Sequence, residues 1–367
     1  MDDFPDAVAN ILLRLPLIND LRRLRLVCRF WRDLIDEHAD MQIRSKVLAV
    51  TTEGTTHVVD VLSPGSPAQG MWQSQRLAEA VLRPMTMSVV GTCNGLVCVC
   101  DDQVSGGAIT LSNPATREEL RLPPLPRPSF SVLSLYRTSS RSWYPTYCFA
   151  RHPTTGRYKV VHVPNCFDPF WEPGVVHVFT LGEPSWRDVH LAPADARCSL
   201  GVSSLVDVDG TVYWMTEDAG RIVAFDLEDE RITGTMPLPV PAKPASCRLT
   251  KVHARLGVAV GAKDDSTPVW VLEGESWSRL YVLEAHILPK HQLVFPHCAI
   301  GEYILTQSYG TLYRHKIKRA ARSQGGTAVV QINGKDPGEE VTSLIKPIYR
   351  MYAYVHTKEP LSVYKLW

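Results

Sequence analysis

The strand-like pattern that runs from Val47 to the C-terminus restricts the fold of this chain more than any other feature. Short runs rich in Val, Leu, Tyr and Trp alternate with clusters of Gly, Pro, Asn and Asp, which is typical of short β-strands joined by turns. No helical pattern of comparable periodicity interrupts them, which argues against a parallel α/β fold. The clearest predicted strands are Val47–Thr51, His57–Leu62, Gly95–Cys100, Ile109–Ser112, Tyr158–Val163, Val175–Leu181, Thr211–Met215, Ile222–Asp226, Val269–Leu272 and Tyr303–Gln307.

Two short phrases recur within this strand region. A turn that starts with Asn-Pro or His-Pro and ends in Arg occurs at 113–117 and 152–157, and a Gly-Glu turn followed by Trp occurs at 182–187 and 274–279. A repeat of about 40 to 50 residues is what one four-stranded propeller blade requires. The region therefore predicts a β-propeller of about six or seven blades.

The C-terminal segment holds two more strand-like runs, Ala328–Ile332 and Ile348–Val355. We expect both to help close the ring with the first strands near Val47. Because the strand pattern begins near Lys46, we predict an N-terminal domain over 1–45 and a propeller domain over 46–367.

The segment Phe4–Ile35 differs from the rest because its apolar residues recur at helical spacing. It predicts amphipathic helices, the last of which also carries a stripe of arginines. The apolar positions are Val8, Ile11, Leu12, Leu15, Leu21, Leu24, Cys28, Trp31 and Ile35. A unit of about forty residues buries too little apolar area to fold reliably alone. These helices therefore need another surface, which is either the downstream domain, as a cap, or a second protein.

Three phrases in this segment, Phe4–Asp6, Ile11–Pro16 and Leu24–Ile35, resemble an F-box. An F-box is a three-helix motif that docks F-box proteins onto the Skp adaptor of SCF ubiquitin ligases. In this chain Phe4 stands where the family usually has Leu. The resemblance implies an adaptor-facing set of Phe4, Pro5, Ile11, Leu12, Leu15, Pro16, Val27, Cys28 and Trp31. As an alternative, Trp31 and Ile35 fill the core of the small motif itself.

Further phrases, over about residues 90 to 310, resemble the F-box-associated, kelch-like domains of plant F-box proteins. They are residues 92–98, 112–118, 156–161, 175–186, 210–214, 224–227 and 269–277. The resemblance implies a β-propeller that holds the substrate to be ubiquitinated. The expected fold is thus an α+β multidomain chain, with a small three-helix F-box followed by an all-β, kelch-like propeller.

Charge and cysteine content limit the partners and the compartment. With 39 basic and 38 acidic residues the formal net charge is +1, so no overall field draws the chain to nucleic acid or to an anionic membrane. No apolar run approaches the roughly 18 residues of a membrane span. Nine cysteines without a secretion signal or glycosylation sequon fit a reducing compartment. We therefore expect a cytoplasmic or nuclear protein that binds neither nucleic acid nor membrane.

Motifs for catalysis or metal binding are lacking in the sequence. It contains no Gly-x-Ser-x-Gly, His-Glu-x-x-His or phosphate-binding Gly-x-x-x-x-Gly-Lys-Ser/Thr phrase. His286, His291, His297 and Cys298 are possible zinc ligands by type, but their spacing favours ordinary loop residues. Cys98 and Cys100 lie on one face of a predicted strand, where small apolar core residues are expected. We predict no cofactor, no metal and no catalytic residue.

Two aromatic loops, 142–147 and 165–173, are the sequence's candidates for a substrate surface. Prolines stiffen both loops, so large contact groups are presented at low entropic cost. The proposed contact residues are Trp143, Tyr144, Phe167, Phe170 and Trp171. The alternative is that these aromatic side chains fold back and fill gaps between blades.

Two functions from different classes fit the sequence. The first is a non-catalytic substrate receptor of an SCF-type ubiquitin ligase, which binds a Skp-family adaptor, and through it a cullin scaffold, while the propeller captures a protein target. The second is a stand-alone propeller, either a scaffold or a hydrolase, with the N-terminal helices as a structural cap. A hydrolase needs converging carboxylates or a nucleophile and base. Because the sequence offers no such convergence, we favour the receptor.

Overall fold

A computed structural model describes most of the chain from Lys46 onwards. The described residues are 46–52, 55–62, 69–72, 87–104, 106–126, 143–164, 174–192, 195, 198, 205–216, 220–240, 246–261, 266–286, 292–296, 299–317, 328–333 and 338–365. Their regular structure consists of β-strands and two short 3-10 helices, Tyr144–Thr146 and Ser362–Tyr364. Neither helix has the length or apolar character that a membrane crossing requires. The three predicted helices of residues 1–45 lie outside the described ranges.

The described strands form six sheets, which are the blades of a propeller. Blade 1 consists of β26 (Ile348–Ala353), β1 (Lys46–Thr51), β2 (Thr56–Asp60) and β3 (Gln69–Trp72). Blade 2 consists of β4 (Met87–Cys93), β5 (Leu96–Asp101), β6 (Ala108–Asn113) and β7 (Glu118–Arg121). Blade 3 consists of β8 (Tyr147–Arg151), β9 (Tyr158–His162), β10 (Val175–Thr180) and β11 (Arg187–His190).

The remaining three blades continue the same order around the ring. Blade 4 consists of β12 (Val206–Val208), β13 (Thr211–Met215), β14 (Arg221–Asp226) and β15 (Arg231–Pro237). Blade 5 consists of β16 (Cys247–Val252), β17 (Arg255–Val260), β18 (Ser266–Glu273), β19 (Ser276–His286) and β24 (Ala328–Asn333). Blade 6 consists of β20 (Gln292–Leu293), β21 (Ala299–Ile300), β22 (Tyr303–Ser308), β23 (Thr311–Lys316) and β25 (Glu339–Ser343). Of the predicted six or seven blades, the described residues form six.

Closure of the ring joins the two ends of the described chain within blade 1. The C-terminal strand β26 pairs antiparallel with β1, with Leu48 opposite Tyr352. This confirms the prediction for Ile348–Val355, but the prediction for Ala328–Ile332 is wrong. That run forms β24, which pairs parallel with β19 of blade 5 from Tyr281 opposite Ala328 onwards. Since β19 is an 11-residue outer strand, β24 covers an edge that would otherwise be open to other chains.

The hydrophobic core lies between adjacent blades, and the position of a strand within its blade sets its burial pattern. Every residue of β10 is buried, because both faces of a middle strand meet neighbouring blades. The outer strand β15 instead alternates between exposed and half-buried residues, because one of its faces meets solvent. Cys98 and Cys100, on β5, have no exposed surface, which confirms the prediction that they are core residues.

The innermost strands of the blades, β26, β4, β8, β12, β16 and the β20–β21 pair, lie side by side around the central axis. They begin at one end of the ring, termed the upper face, and finish at the other, termed the lower face. At the lower face the turns that follow them touch. His253 Nε2 lies 2.6 Å from Gly301 O across blades 5 and 6, and Gly210 packs against Pro153 across blades 4 and 3.

The C-terminal tail, residues 354–365, crosses the lower face from blade 1 to blades 2 and 3. Asn113 Nδ2 donates to Glu359 O at 2.7 Å, and the Leu361 N–H donates to a Glu118 carboxylate oxygen at 2.8 Å. The chain also enters β1 at this face, where Lys46 O accepts a hydrogen bond from the Tyr354 N–H at 2.9 Å. Residues 1–45 are therefore joined to the ring at its lower face.

Candidate functional site

Two arginines lie on innermost strands close to the upper face. Arg350 is the third residue of β26, and Arg248 is the second residue of β16. Arg248 is exposed and Arg350 is half-buried. Because both innermost strands begin at the upper face, the two guanidinium groups are carried at the upper mouth of the central channel.

Arg350 is held by hydrogen bonding and by aromatic rings. Its Nη1 donates to the Tyr352 hydroxyl at 3.1 Å, and that hydroxyl donates to Val89 O of blade 2 at 3.0 Å. The guanidinium carbon lies 4.7 Å from the ring centroid of Tyr144 and 6.0 Å from that of Tyr349. These two rings meet edge to face with centroids 6.4 Å apart. A cation over an aromatic face is attracted by the ring quadrupole, so the rings help fix the guanidinium.

Arg248 is fixed by the break in the innermost strand of blade 6. Its guanidinium carbon lies 5.1 Å from the ring centroid of Phe295, in the segment between β20 and β21. Phe295 O accepts from the Met351 N–H of β26 at 2.7 Å, and Pro296 O accepts from the Lys251 N–H of β16 at 2.8 Å. The Phe295–Pro296 segment therefore lies between the two strands that carry the arginines.

Arg248 and Arg350 are like charges that act on each other at the upper mouth. Burial and the nearby positive charge of Arg350 both lower the pKa of Arg248. A guanidinium nevertheless keeps its proton at neutral pH. The acidic residue of the innermost strand β12, Asp207, lies 3.7 Å from Lys251 Nζ, and burial raises its carboxyl pKa. The Asp207 carboxylate is thus directed to Lys251, while Arg248 and Arg350 place two positive charges at the mouth.

Exposed apolar side chains of blade 6 lie on the same upper face as the mouth. Tyr309, in the turn between β22 and β23, is 84% exposed, and Ile345, in the loop between β25 and β26, is 95% exposed. The turn and the loop touch, since a β-carbon on Gly310 would lie 2.6 Å from Leu344 O and 2.9 Å from Lys346 O. Among the described residues, the other exposed large hydrophobic residue is Val363 of the C-terminal tail.

The structure places the predicted aromatic residues Trp143 and Tyr144 at the upper face, just before β8. The backbone N–H groups of both donate to Asp102 Oδ1, at 2.6 Å and 3.1 Å, and the Ser88 hydroxyl donates to Asp102 Oδ2 at 2.7 Å. Both side chains are half-buried and pack on the core between blades 2 and 3. These contacts fit the alternative that the two side chains fill a gap between blades, and the Tyr144 ring also contacts the Arg350 guanidinium. A role in substrate contact stays a prediction for both residues.

The remaining predicted aromatics, Phe167, Phe170 and Trp171, lie outside the described residues. Their loop joins β9 to β10, and the strand register shows where it leaves the blade. His162 at the end of β9 is opposite both Tyr147 at the start of β8 and His177 near the start of β10. Both aromatic loops are therefore attached to blade 3 at the upper face.

The predicted adaptor-facing residues all belong to the segment outside the described ranges. They are Phe4, Pro5, Ile11, Leu12, Leu15, Pro16, Val27, Cys28 and Trp31. What the structure does give is the point at which this segment joins the ring, at Lys46 on the lower face. The arginine-bearing mouth lies at the opposite end of the innermost strands.

Groups suited to metal binding are not assembled in the described part of the chain. No three His, Cys, Asp or Glu side chains lie close enough there to hold a metal ion. The side chains of His286, His291, His297 and Cys298 lie outside that part. Burial raises the pKa of the Cys98 and Cys148 thiols, which keeps them protonated and unreactive.

Comparison with known proteins identifies the family. A family model described as an F-box associated beta propeller domain matches residues 46–309, and a model of the F-box domain matches residues 1–40. The chain belongs to the F-box-associated β-propeller family. The resemblance found in the sequence is thereby confirmed.

Relatives of this family member occur in Arabidopsis thaliana. One F-box protein is 26% identical over 291 residues, covering 76% of this chain and 65% of the relative, just under two thirds of its length. An F-box/kelch-repeat protein is 25% identical over 306 residues, covering 75% of this chain and 78% of the relative. Among solved structures, TolB from Acinetobacter baumannii aligns with a TM-score of 0.45 and 9% identity, over 84% of this chain and 71% of TolB.

Proposed function

We propose that this protein is the substrate-recognition subunit of an SCF-type ubiquitin ligase. The N-terminal segment binds a Skp-family adaptor and, through it, a cullin scaffold, while the propeller captures a protein target. The protein itself is non-catalytic, because the ligase works by holding the target near a ubiquitin-loaded enzyme, which raises the effective concentration of the reacting groups. We also propose that it acts in the cytoplasm or the nucleus, with residues 1–45 as the adaptor-binding domain and 46–367 as the propeller domain.

The observation that carries this proposal is the order of the two family matches along the chain. An F-box match over residues 1–40 is followed directly by the propeller match over 46–309. The fold supports the same separation of adaptor binding from target binding. The N-terminal segment joins the ring at the lower face, whereas the arginine-bearing mouth lies at the upper face. A target on the upper face would leave the lower face for the ligase core.

A pull-down with a purified Skp adaptor tests the adaptor half of the proposal. The Ile11→Asp/Leu12→Asp double variant should lose the equimolar complex that the wild-type chain forms, because it places carboxylates on the predicted apolar face. An Asn10→Asp/Arg14→Gln variant is the matched control, since it makes the same change of two negative units off that face. Equal binding by the Ile11→Asp/Leu12→Asp variant and wild type, or no complex with any Skp adaptor, would contradict the proposal. It would favour the alternative that the N-terminal helices are a structural cap on the propeller.

A reconstituted ligase tests the non-catalytic role. With adaptor, cullin and ubiquitin-loading enzymes present, a bound target should gain ubiquitin only when this chain is included. The propeller alone should leave the target unmodified. Chemical change of a target by the isolated chain would favour the hydrolase alternative.

A further inference from the structure

We infer that the upper mouth, with Arg248 and Arg350 at its centre, binds an anionic side chain of an extended segment of the target protein. This inference rests on the proposed substrate-receptor function and adds to it the face and the chemistry of recognition. The anionic group is a carboxylate or a phosphoryl group, since both match the planar fork of a guanidinium.

The charge arrangement supports an anionic ligand. Two guanidinium groups near each other repel, and an anion between them removes that repulsion while accepting several N–H donors. Lys251 lies further along β16 and adds a third cation, which faces Asp207 at 3.7 Å. The innermost strands β12, β16 and β26 together carry one carboxylate and three cations, so a negative ligand would reduce their net positive charge.

The side chains are also held before any ligand arrives. Arg350 is fixed by Tyr352, Tyr144 and Tyr349, and Arg248 is fixed by Phe295. Long side chains that are already ordered lose less entropy on binding. Aromatic contacts of this kind orient a guanidinium without removing its charge.

The surroundings of the mouth fit a protein segment better than a small ion. Tyr309 and Ile345 form an exposed apolar pair on the same face, and Ile345 is three residues before the start of β26, the strand that carries Arg350. A segment whose anionic residue lies at the arginines would pass an apolar residue over Tyr309 and Ile345. Aromatic and apolar residues next to arginine are the composition that protein interfaces favour.

The test uses the full-length chain and three fluorescent peptide pools with mixed flanking residues and a fixed central phosphoserine, glutamate or serine. Fluorescence anisotropy should show that the phosphoserine pool, the glutamate pool or both bind about tenfold or more tightly than the serine pool. The stronger of the two anionic pools identifies the source of the charge. Binding should weaken as salt is raised, because exposed charges are screened.

Substitutions assign the binding to the two arginines. Arg248→Gln should lower the affinity of the preferred pool about tenfold, and Arg248→Lys should restore part of it. Arg255→Gln removes a half-buried arginine that already pairs with Glu273 at 2.5 Å, and it should leave binding unchanged. Because Arg350 donates to the Tyr352 hydroxyl that bonds Val89 of blade 2, Arg350→Lys is used in place of a neutral residue, with the melting temperature measured in parallel.

Equal affinity for the three pools, no binding by any of them, or full binding by Arg248→Gln would overturn the inference. The adaptor pull-down is scored separately on the same protein. If the peptides bind in an anion-dependent way but no adaptor complex forms, only the ligase proposal is contradicted. If the adaptor complex forms but peptide binding does not depend on the anion, only the assignment of this mouth is contradicted.

Discussion

Lys159 Nζ lies 2.7 Å from Glu230 Oε1, across the boundary between blades 3 and 4. Lys159 is 4% exposed, and its ammonium also donates to Leu227 O. The same Glu230 carboxylate accepts from the Arg187 guanidinium. Burial raises the pKa of Glu230, but the Arg187 and Lys159 contacts outweigh it, so the pKa of this carboxyl is lowered overall. The two blades are thus joined by a charged contact that is largely removed from water.

Removal of the Glu230 charge should lower the free energy of unfolding more than removal of the Lys159 charge. Glu230→Gln leaves a buried ammonium without a counter-charge, and we expect a loss of about 2–4 kcal/mol in the free energy of unfolding. Lys159→Met leaves Glu230 paired with Arg187, and we expect a loss of about 1–2 kcal/mol. Arg157→Gln breaks an exposed pair with Glu183 and serves as the control, at about 1 kcal/mol or less. Denaturant unfolding of the three variants measures the order, and equal losses for Glu230→Gln and Arg157→Gln would contradict it.

Two stacked histidines in blade 3 should make stability fall as the solution is acidified. The rings of His162 and His177 are 5.5 Å apart, and both residues are buried. Burial, with the proximity of His177, lowers the pKa of His162 well below 6.5. Burial also lowers the pKa of His177, although Asp188 acts in the opposite direction. A depressed pKa means that the unfolded chain binds the proton first, so the stability is present above pH 6.5 and is lost below it.

The direction of this effect follows from the linkage between proton binding and folding. Because the folded pKa of His162 is lowered, its protonation should reduce the free energy of unfolding progressively as the pH falls below 6.5. His162→Phe keeps an aromatic ring at this position and should flatten the curve of melting temperature against pH between 7 and 5. His190→Asn, at an exposed position of β11, should leave the curve as in the wild type. A parallel curve for His162→Phe and wild type would count against this explanation.

Strands were predictable from the sequence wherever the local apolar pattern alone determines their bounds. Predicted Thr211–Met215 has the bounds of β13, and Tyr303–Gln307 differs from β22 by one residue. The innermost strand β16 was missed because its Arg248, Thr250 and Lys251 break the apolar pattern. An innermost strand lines the channel, so it carries polar residues at positions where other strands carry Val or Leu.

The candidate site could not be predicted for a related reason. Arg248 and Arg350 are far apart in the sequence, and only closure of the ring brings β16, the Phe295–Pro296 segment and β26 together. The signal that was available is an arginine inside a predicted strand, as with Arg350 in the run Ile348–Val355. The pairing of β24 with β19 was missed likewise, because β24 follows the blade 6 strand β23 in the chain, and no local pattern shows that it returns to pair parallel with a strand of blade 5.

The C-terminal tail should contribute to stability through one buried side chain. Leu361 has no exposed surface and packs in the core between blades 2 and 3, whereas Val363, two residues on, is 66% exposed. Leu361→Ala should lower the free energy of unfolding by about 2–4 kcal/mol, because it leaves a cavity under the tail. Val363→Ala is the matched control and should change it by about 0.5 kcal/mol or less. Similar losses for both variants would mean that the tail does not dock as described.

The exposed apolar pair of the upper face should affect binding without affecting folding. Tyr309→Ser and Ile345→Ser remove surface that already meets water, so the melting temperature should stay within about 2 °C of wild type. If a target segment passes over this pair, each substitution should weaken the preferred anionic peptide pool about five- to tenfold when its flanking positions are Leu or Phe. The same pool with Gly and Ser flanks should bind wild type and variants alike.

Val363→Ser supplies the control for this experiment, because it removes an exposed apolar side chain from the lower face. It should leave the affinity of both pools unchanged if the upper face alone contacts the peptide. Fluorescence anisotropy on the four proteins and two pools separates the contributions of charge and apolar contact. A loss with Val363→Ser as large as that with Ile345→Ser would show that the peptide does not distinguish the faces, and the assignment of the target to the upper face would then be wrong.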